Sequence, residues 1–408
     1  MKFVYNTGIR AYTSAIKTAS IFNNKAKLWV DGRKNIFTKL EADFKQNTAK
    51  IIWIHAASLG EFEQGRPLIE ELKQKFPEKK ILLTFFSPSG FEIRKNYEKA
   101  DYIYYLPADT PKNANKFIEI VKPETVYFIK YEFWQNYLFT LYKQKIPTYL
   151  VSGIFRKEQM FFNKSGKSYR KVLNYFTHLF VQNKTSLDLL KSIDINNVTI
   201  SGDTRFDRVI DIANKTIELK KVAEFCDNKQ IIIAGSSWQP DEELLAKYLN
   251  STKFDIKLII APHEIKEQNI ARIKKSINKN ILLYSDIENS IPKDYDVLII
   301  NNIGLLSSLY KYANIAYIGG GFGVGIHNIL EAATFGKPIV FGPKYKKFKE
   351  AVDLINLEAA FSISNYVEFE SIFNRFLTDN KYLEKTSEIS AKFVQNNAGA
   401  VKKILLKT

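Results

Sequence analysis

Cysteine is nearly absent. Cys226 stands alone in 408 residues, which excludes a disulfide framework and any all-cysteine metal site and suits a reducing compartment. Histidine is scarce as well, with only His55, His178, His263 and His327, too few for a histidine-rich metal centre. No apolar run of about 18 residues occurs, so nothing reads as a membrane-spanning helix. The first residues, MKFVYNTGIRAYTSAIKTASIFNNKAKLWV, lack the compact apolar stretch and cleavage site of a secretory signal. Acid is in deficit, 43 Asp+Glu against 60 Lys+Arg, leaving a net charge of +17.

What is present is otherwise ordinary for a folded chain. Apolar residues at 45% and charged residues at 25% exclude wholesale disorder, and the length suits two or three domains of about 100–200 residues each. Fifty of the basic residues are lysine and ten are arginine. Such a surface favours anionic partners, namely nucleic acid, a sugar nucleotide or an anionic membrane face. A nucleic-acid reader clusters its basic residues with exposed aromatics in a reading module. Here the lysines are spread along the chain and the aromatics read as core, so nucleic acid is not an expected partner. Near the start, Phe3, Val4, Ile9, Tyr12, Ile16, Ala19 and Phe22 recur at helical spacing with Lys2, Arg10 and Lys17 between them. That pattern fits a basic amphipathic helix lying in a membrane interface, or equally one packed on its own domain. Residues 1–30 are therefore expected to form a membrane-association segment.

From residue 50 onward, short apolar runs alternate with amphipathic stretches. Ile51–His55, Ile81–Phe86, Tyr102–Leu106, Thr125–Ile129, Thr148–Ser152, His178–Gln182 and Val198–Ser201 read as strands, with helices such as Glu61–Phe76, Ala114–Val121 and Lys184–Ser192 between them. Residues 206–228 are helical and polar. Strands resume at Gln230–Ala234, Lys257–Ala261, Ile281–Tyr284, Val297–Asn301, Ile315–Ile318 and Pro338–Phe341. Alternation of this kind implies right-handed crossovers and parallel sheets covered on both faces. The expected fold class is α/β, two doubly wound, Rossmann-like parallel-sheet domains facing a cleft: 31–208, a linker at 209–228, 229–385, and a C-terminal helix over 386–408. Open sheets of this class bind ligands at the carboxyl ends of their strands.

Several segments at those ends carry candidate chemistry. His55-Ala-Ala-Ser58-Leu-Gly-Glu61 runs from a strand into a helix. It reads either as a capping box built on Ser58 and Glu61 or as a carboxylate held on a rigid first turn for use as a general base. Gly319-Gly320-Gly-Phe-Gly-Val-Gly-Ile-His327-Asn328-Ile-Leu-Glu331 joins a strand to a helix through five glycines in seven residues. Glycines there let a backbone approach a phosphate, and Asn328 with Glu331 would share a helix face suited to ribose hydroxyls; a tight capped turn is the plainer account. Ser236 and Ser237 follow the first strand of the second domain and suit phosphate or nucleotide contact, or merely cap a turn. His263, in Ala261-Pro262-His263-Glu264, ends the next strand as a ligand or as a structural histidine. Arg205, in Ser201-Gly-Asp-Thr-Arg205-Phe-Asp207, either meets an anion or pairs with Asp207. Glu132 and Trp134 follow a strand as a site wall or as core.

In order, these segments resemble the 3-deoxy-D-manno-octulosonic acid (Kdo) transferases, which glycosylate the lipid A precursor and have the two-domain GT-B glycosyltransferase fold. The likeness runs through the basic N-terminal segment, His55–Glu61, Ser87-Pro-Ser-Gly90, Lys122-Pro-Glu with Glu132-Phe-Trp, Gly202–Asp207, Pro262-His263, Gly304 with Tyr310, Gly319-Gly320, His327-Asn328-Ile-Leu-Glu331 and Gly336-Lys-Pro338 through Phe341-Gly-Pro343. The run from His327 to Pro343 is its most specific part. Three positions depart from the family pattern. Ala261-Pro262-His263 stands where the family commonly has Pro-Arg-His, so the arginine is missing at Pro262; Leu305 stands where the family commonly has glutamate, and Arg205 replaces a hinge lysine with the same charge and a different geometry.

The resemblance implies inverting, metal-independent transfer of Kdo from CMP-Kdo to a sugar hydroxyl of the lipid A precursor, with no cofactor. Glu61 would be the general base, and Glu132 and Arg205 would stabilise the transition state. Nucleotide contacts would come from Pro262, His263, Ile303, Gly304, Leu305, Asn328, Ile329, Leu330 and Glu331, with further donor contacts from Ser236, Ser237, Gly320 and His327. The 31–208 domain would bind the acceptor and the 229–385 domain the nucleotide sugar. The implied place is the cytoplasmic face of the bacterial inner membrane, held on its anionic surface peripherally or by an N-terminal anchor. Another GT-B enzyme with a UDP-sugar donor is the alternative.

Overall fold

The computed structural model describes residues 2–163 and 166–408; Met1 of the expected N-terminal segment lies outside the described residues. The chain forms two compact units, residues 1–208 with 398–408, and residues 209–397.

The first unit is built on strands β1 (Ile51–Ala56), β2 (Lys80–Phe85), β3 (Tyr102–Tyr105), β4 (Pro123–Ile129), β5 (Thr148–Gly153), β6 (His178–Val181) and β7 (Val198–Ile200). They pair in parallel in the order β3-β2-β1-β4-β5-β6-β7. Every residue of β1 is buried, as the uninterrupted apolar run of a two-sided parallel strand requires. The β1 indole of Trp53 packs on Phe117, Phe128 and Tyr137 and donates to Thr84 Oγ1 at 2.8 Å, so its only polar atom is satisfied inside the core. Strand order reverses between β1 and β4, which makes their carboxyl ends the switch point where open sheets bind ligands. The chain returns to this unit at its end. Val401 and Ile404 join the core beside β1 and β2, and Asp207 accepts from Gly399 N (2.7 Å) and Val401 N (3.2 Å), capping the helix Ala400–Leu405.

The N-terminal helix, Lys2–Ala19, has no buried residue. It is tied to its own unit through Tyr5, whose hydroxyl donates to the buried Asp109 at 2.6 Å, and through Asn6, which accepts from Asn136 at 2.9 Å. Phe3, Val4 and Tyr12 remain exposed, as do Ile21 and Phe22 just beyond. No helix among the described residues is long and apolar enough to cross a membrane.

The second unit contains β8 (Gln230–Ser237), β9 (Ile256–Pro262), β10 (Ile281–Leu283), β11 (Val297–Ile299), β12 (Ile315–Ile318), β13 (Ile339–Phe341) and β14 (Ala360–Ser362). The parallel order is β10-β11-β9-β8-β12-β13-β14, with its switch point between β8 and β12. Thirteen of the fourteen strands coincide with the apolar runs expected from sequence; β14, a three-residue edge strand, was not among them. The polar stretch at 206–228 holds helices Thr204–Asn214 and Lys220–Cys226. Both units are of the doubly wound α/β type expected.

Candidate active site

In the first unit, candidate residues gather at the carboxyl ends of the two switch-point strands. The turn after β1 opens the helix Leu59–Lys75 at Ser58. Ser58 makes no side-chain bond to the helix backbone. Its hydroxyl donates to Glu61 Oε2 instead. The capping box expected there is replaced by a serine spent on fixing a carboxylate, and Glu61 is left half-buried on the first helical turn, close to the positive end of the helix dipole.

Glu132 lies in the loop after β4, only 9% exposed. Its Oε2 is 2.5 Å from the Trp134 indole nitrogen and 3.3 Å from His55 Nε2. Trp134 Nε1 is also 3.1 Å from His55 Nε2, and the Trp134 ring packs on Phe86 at 4.6 Å. Glu132 and Trp134 thus belong to one hydrogen-bonded group that includes the last histidine of β1, rather than forming a wall and a separate core.

Arg205 comes from the start of the helix Thr204–Asn214. Asp207, the ion-pair alternative for this arginine, is occupied in capping the final helix. Arg205 instead forks onto Asp203, with Nε at 2.9 Å and a terminal nitrogen at 2.7 Å from Oδ2. Asp203 also accepts from Gln64 Nε2 at 3.3 Å, and Thr204 donates to the Gln64 carbonyl at 2.6 Å. Gln64 sits one turn beyond Glu61 on the same helix, so the arginine loop is bonded to the helix that carries Glu61.

In the second unit, the carboxyl end of β8 itself carries Ser236, in the left-handed region at φ 52°, and Ser237. Ser237 donates to the buried Glu242 at 2.9 Å, which is itself paired with Arg272 at 2.6 Å. Next come three rings. The Trp238 indole stacks on His263 at 4.5 Å, and His263 stacks on His327 at 4.6 Å. Trp238 Nε1 donates to His327 Nε2 at 3.1 Å. Burial pushes the His327 imidazole below its ordinary range, with His263 adding to the effect, so the neutral ring is available as that acceptor.

The glycine run is held by Asp241, a buried carboxylate that accepts from Gly320 N (3.0 Å), Trp238 N (2.9 Å) and Tyr317 OH (2.7 Å). Gly320 has φ 91°, and a Cβ there would lie 2.5 Å from the Gly325 carbonyl oxygen. Gly319 is equally constrained, because a Cβ would meet the Ser236 carbonyl oxygen at 2.3 Å. The helix expected after the run is a single turn, Leu330–Ala333. Asn328 therefore precedes the helix instead of sharing its face with Glu331. Its side chain still meets Glu331 Oε1 at 2.9 Å, and Ser307 donates to Oε2 at 2.6 Å. Ile329 and Leu330 bury their side chains in the core, whereas Ile303 is 88% exposed beside Gly304 at φ 97°. Pro262 ends β9 and is buried, and Leu305 is half-buried before the short helix Leu306–Leu309.

Sequence reading had not singled out Trp238, Asp241, Glu242, Asp203, Gln64 or Ser307. The three-residue spacing of Trp238 and Asp241 is a capping signal in the sequence, and Asp203 lies two residues before Arg205; the bonds of Gln64 and Ser307 join residues far apart in the chain. Among the described residues, no group of three or more His, Cys, Asp or Glu side chains is arranged to hold a metal ion.

Residues 32–208 match the family described as 3-deoxy-D-manno-octulosonic-acid transferase (kdotransferase). A 3-deoxy-D-manno-octulosonic acid transferase of Aquifex aeolicus is 28% identical over 364 residues, covering 86% of this chain and 93% of that protein. One from Rickettsia felis is 28% identical over 371 residues, with 88% and 78% covered. A solved UDP-GlcNAc 2-epimerase from Neisseria meningitidis, bound to UDP-GlcNAc, superimposes with a TM-score of 0.60 at 17% identity, covering 88% of this chain and 100% of that one. That likeness speaks for the fold, which is of the GT-B type. The match over residues 32–208 and the likeness along 86–88% of the chain make this protein similar to the 3-deoxy-D-manno-octulosonic acid transferases.

Proposed function

We propose that the protein transfers Kdo from CMP-Kdo to a sugar hydroxyl of the lipid A precursor, with inversion and without a metal. The observation that carries this reading is Glu61. In a chain that aligns along most of its length with Kdo transferases, it presents a carboxylate fixed by Ser58 at the switch-point end of the first sheet. In the reaction, the acceptor oxygen attacks the anomeric carbon and its proton passes to Glu61. The bond from that carbon to the phosphate oxygen breaks, and its electron pair leaves with CMP. The leaving phosphate is already a stable anion, so departure needs no strong acid. Glu132 offsets the oxocarbenium character that develops at the anomeric carbon. Arg205 balances the donor carboxylate or the departing phosphate through its guanidinium fork.

CMP is assigned to the second unit, against Pro262 and His263, the Ile303–Leu305 loop, and Asn328 to Glu331, with Ser236, Ser237, Gly320 and His327 as further donor contacts. Ile329 and Leu330 contribute backbone only, since their side chains are core. The place of action is the cytoplasmic face of the inner membrane. The exposed Phe3, Val4, Ile21 and Phe22, interspersed with Lys2, Arg10 and Lys17, suit the headgroup boundary of an anionic leaflet.

Incubating the protein with CMP-Kdo and lipid A precursor in EDTA, followed by mass spectrometry, tests this reading. A gain of one or more Kdo units supports it. No gain, together with thermal protection by UDP-sugars but not by CMP, would replace the donor.

A further inference from the structure

An imidazole inside a wholly buried strand is costly unless both ring nitrogens are bonded. His55 is fully buried, and both nitrogens are engaged. Nδ1 is 3.1 Å from the Thr84 carbonyl oxygen and 2.9 Å from Thr84 Oγ1, directly across on β2. A carbonyl only accepts, so Nδ1 carries a hydrogen and the tautomer is set. The other nitrogen, Nε2, therefore faces Trp134 Nε1 at 3.1 Å and Glu132 Oε2 at 3.3 Å. The single indole hydrogen also serves Glu132 Oε2, at 2.5 Å. Two acceptors, His55 Nε2 and Glu132 Oε2, thus share the one indole hydrogen, and the imidazole is flanked edge-on by Phe128 at 5.7 Å and Trp134 at 6.3 Å. Lys130, just before this loop, is held at φ 65°, so the chain leaves β4 in a conformation that surrounding contacts must maintain.

We propose that His55 is a positioning residue for the Glu132 carboxylate. Anchored by Thr84 on one side, its Nε2 accepts from the Trp134 indole on the other, and that same N–H holds Glu132 Oε2. The proposal rests on the reading of Glu132 as the group that stabilises the transition state. A small apolar residue would fill the same slot in β1 without any polar requirement, and the bonds of this imidazole go only to its strand neighbour and to the Glu132–Trp134 pair.

The test is a mutant cycle on Kdo transfer, with kcat and KM for each substrate. His55→Asn keeps a donor toward Thr84 and removes the acceptor that holds the Trp134 indole, and through it Glu132. It is expected to lower kcat by about 10–100-fold, the scale of a misplaced catalytic group, with both KM values nearly unchanged. His55→Gln, which reaches further toward Glu132, should recover part of that loss. In a Glu132→Gln background neither change should matter further. An unchanged kcat in His55→Asn, or a full additional loss in the Glu132→Gln background, overturns the proposal. Full kcat in Glu132→Gln alone overturns the reading of Glu132 instead, which keeps the two failures apart. If His55→Asn melts below the assay temperature, His55→Gln with and without Glu132→Gln completes the same cycle.

Discussion

Replacing Tyr5 with phenylalanine deletes one hydroxyl from the N-terminal helix and one hydrogen bond from Asp109. That carboxylate is 1% exposed and accepts from Tyr5 OH at 2.6 Å and from the backbone of Asn136 and Tyr137, each at 3.0 Å. Burial pushes its carboxyl up to about 6, while the bonds from Tyr5, Asn136 and Tyr137 hold it down. The folded value lies above the ordinary one, so the fold takes up a proton between about pH 6 and pH 4 that the unfolded chain does not. The stability owed to this group is therefore complete at low pH and lost as pH rises through about 6. Above that point the Tyr5 bond is charge-assisted, worth about 2 kcal/mol; below it the bond is neutral, worth about 1 kcal/mol. Tyr5→Phe should accordingly speed local opening of the helix about 30-fold near pH 7.5 and only about 5-fold near pH 5. Hydrogen exchange read by mass spectrometry over residues 2–19, corrected for intrinsic rates, measures both. Equal acceleration at the two pH values would refute the assignment of the charged partner. No acceleration at the higher pH would refute the docking bond itself.

Three further outcomes are expected. Asp241→Ala strands the three donors that converge on that carboxylate, which costs about 3 kcal/mol and lowers the melting temperature of the second unit by about 6–12 °C; calorimetry reads it, and CMP should no longer protect. Gly320→Ala places a Cβ 2.5 Å from the Gly325 carbonyl oxygen in a left-handed backbone. It should cost about 1–3 kcal/mol in a denaturant melt and weaken CMP binding by calorimetric titration. Asp203→Asn removes the charge of the carboxylate onto which Arg205 forks and should lower kcat about 10-fold, with circular dichroism unchanged.

Much of the architecture could be read from the chain because buried parallel strands are nearly continuous apolar runs, and Ile51–Ala56 and Ile256–Pro262 stand out on that ground alone. The strand β14 did not, since three residues of Ala-Phe-Ser at a sheet edge carry no periodicity. The three-residue spacing of Asn328 and Glu331 suggests a shared helix face, whereas the helix is the single turn Leu330–Ala333 and the Asn328 side chain accepts from Leu330 N just before it. At the sites, local spacing misled twice. Ser58 and Glu61 have capping-box spacing, yet the serine bonds the carboxylate. Arg205 and Asp207 lie close in sequence, yet Asp207 is engaged by a helix some 190 residues later. The engagement of Asp207 depends on a partner far along the chain, which spacing does not encode. The same holds for the Trp238–His263–His327 stack, drawn from three strand ends.

The central claim is that Glu61 accepts the proton of a lipid A hydroxyl as Kdo leaves CMP. The most direct measurement is the rate of Kdo addition to lipid A precursor, followed by mass spectrometry, for wild type and Glu61→Gln side by side with EDTA present. The account predicts addition by the wild type, and a rate about 10²–10⁴-fold lower in the variant, with CMP still protecting both proteins thermally. Equal rates in the two proteins would contradict the assignment of the base, and no addition by a wild type that CMP fails to protect would contradict the function itself.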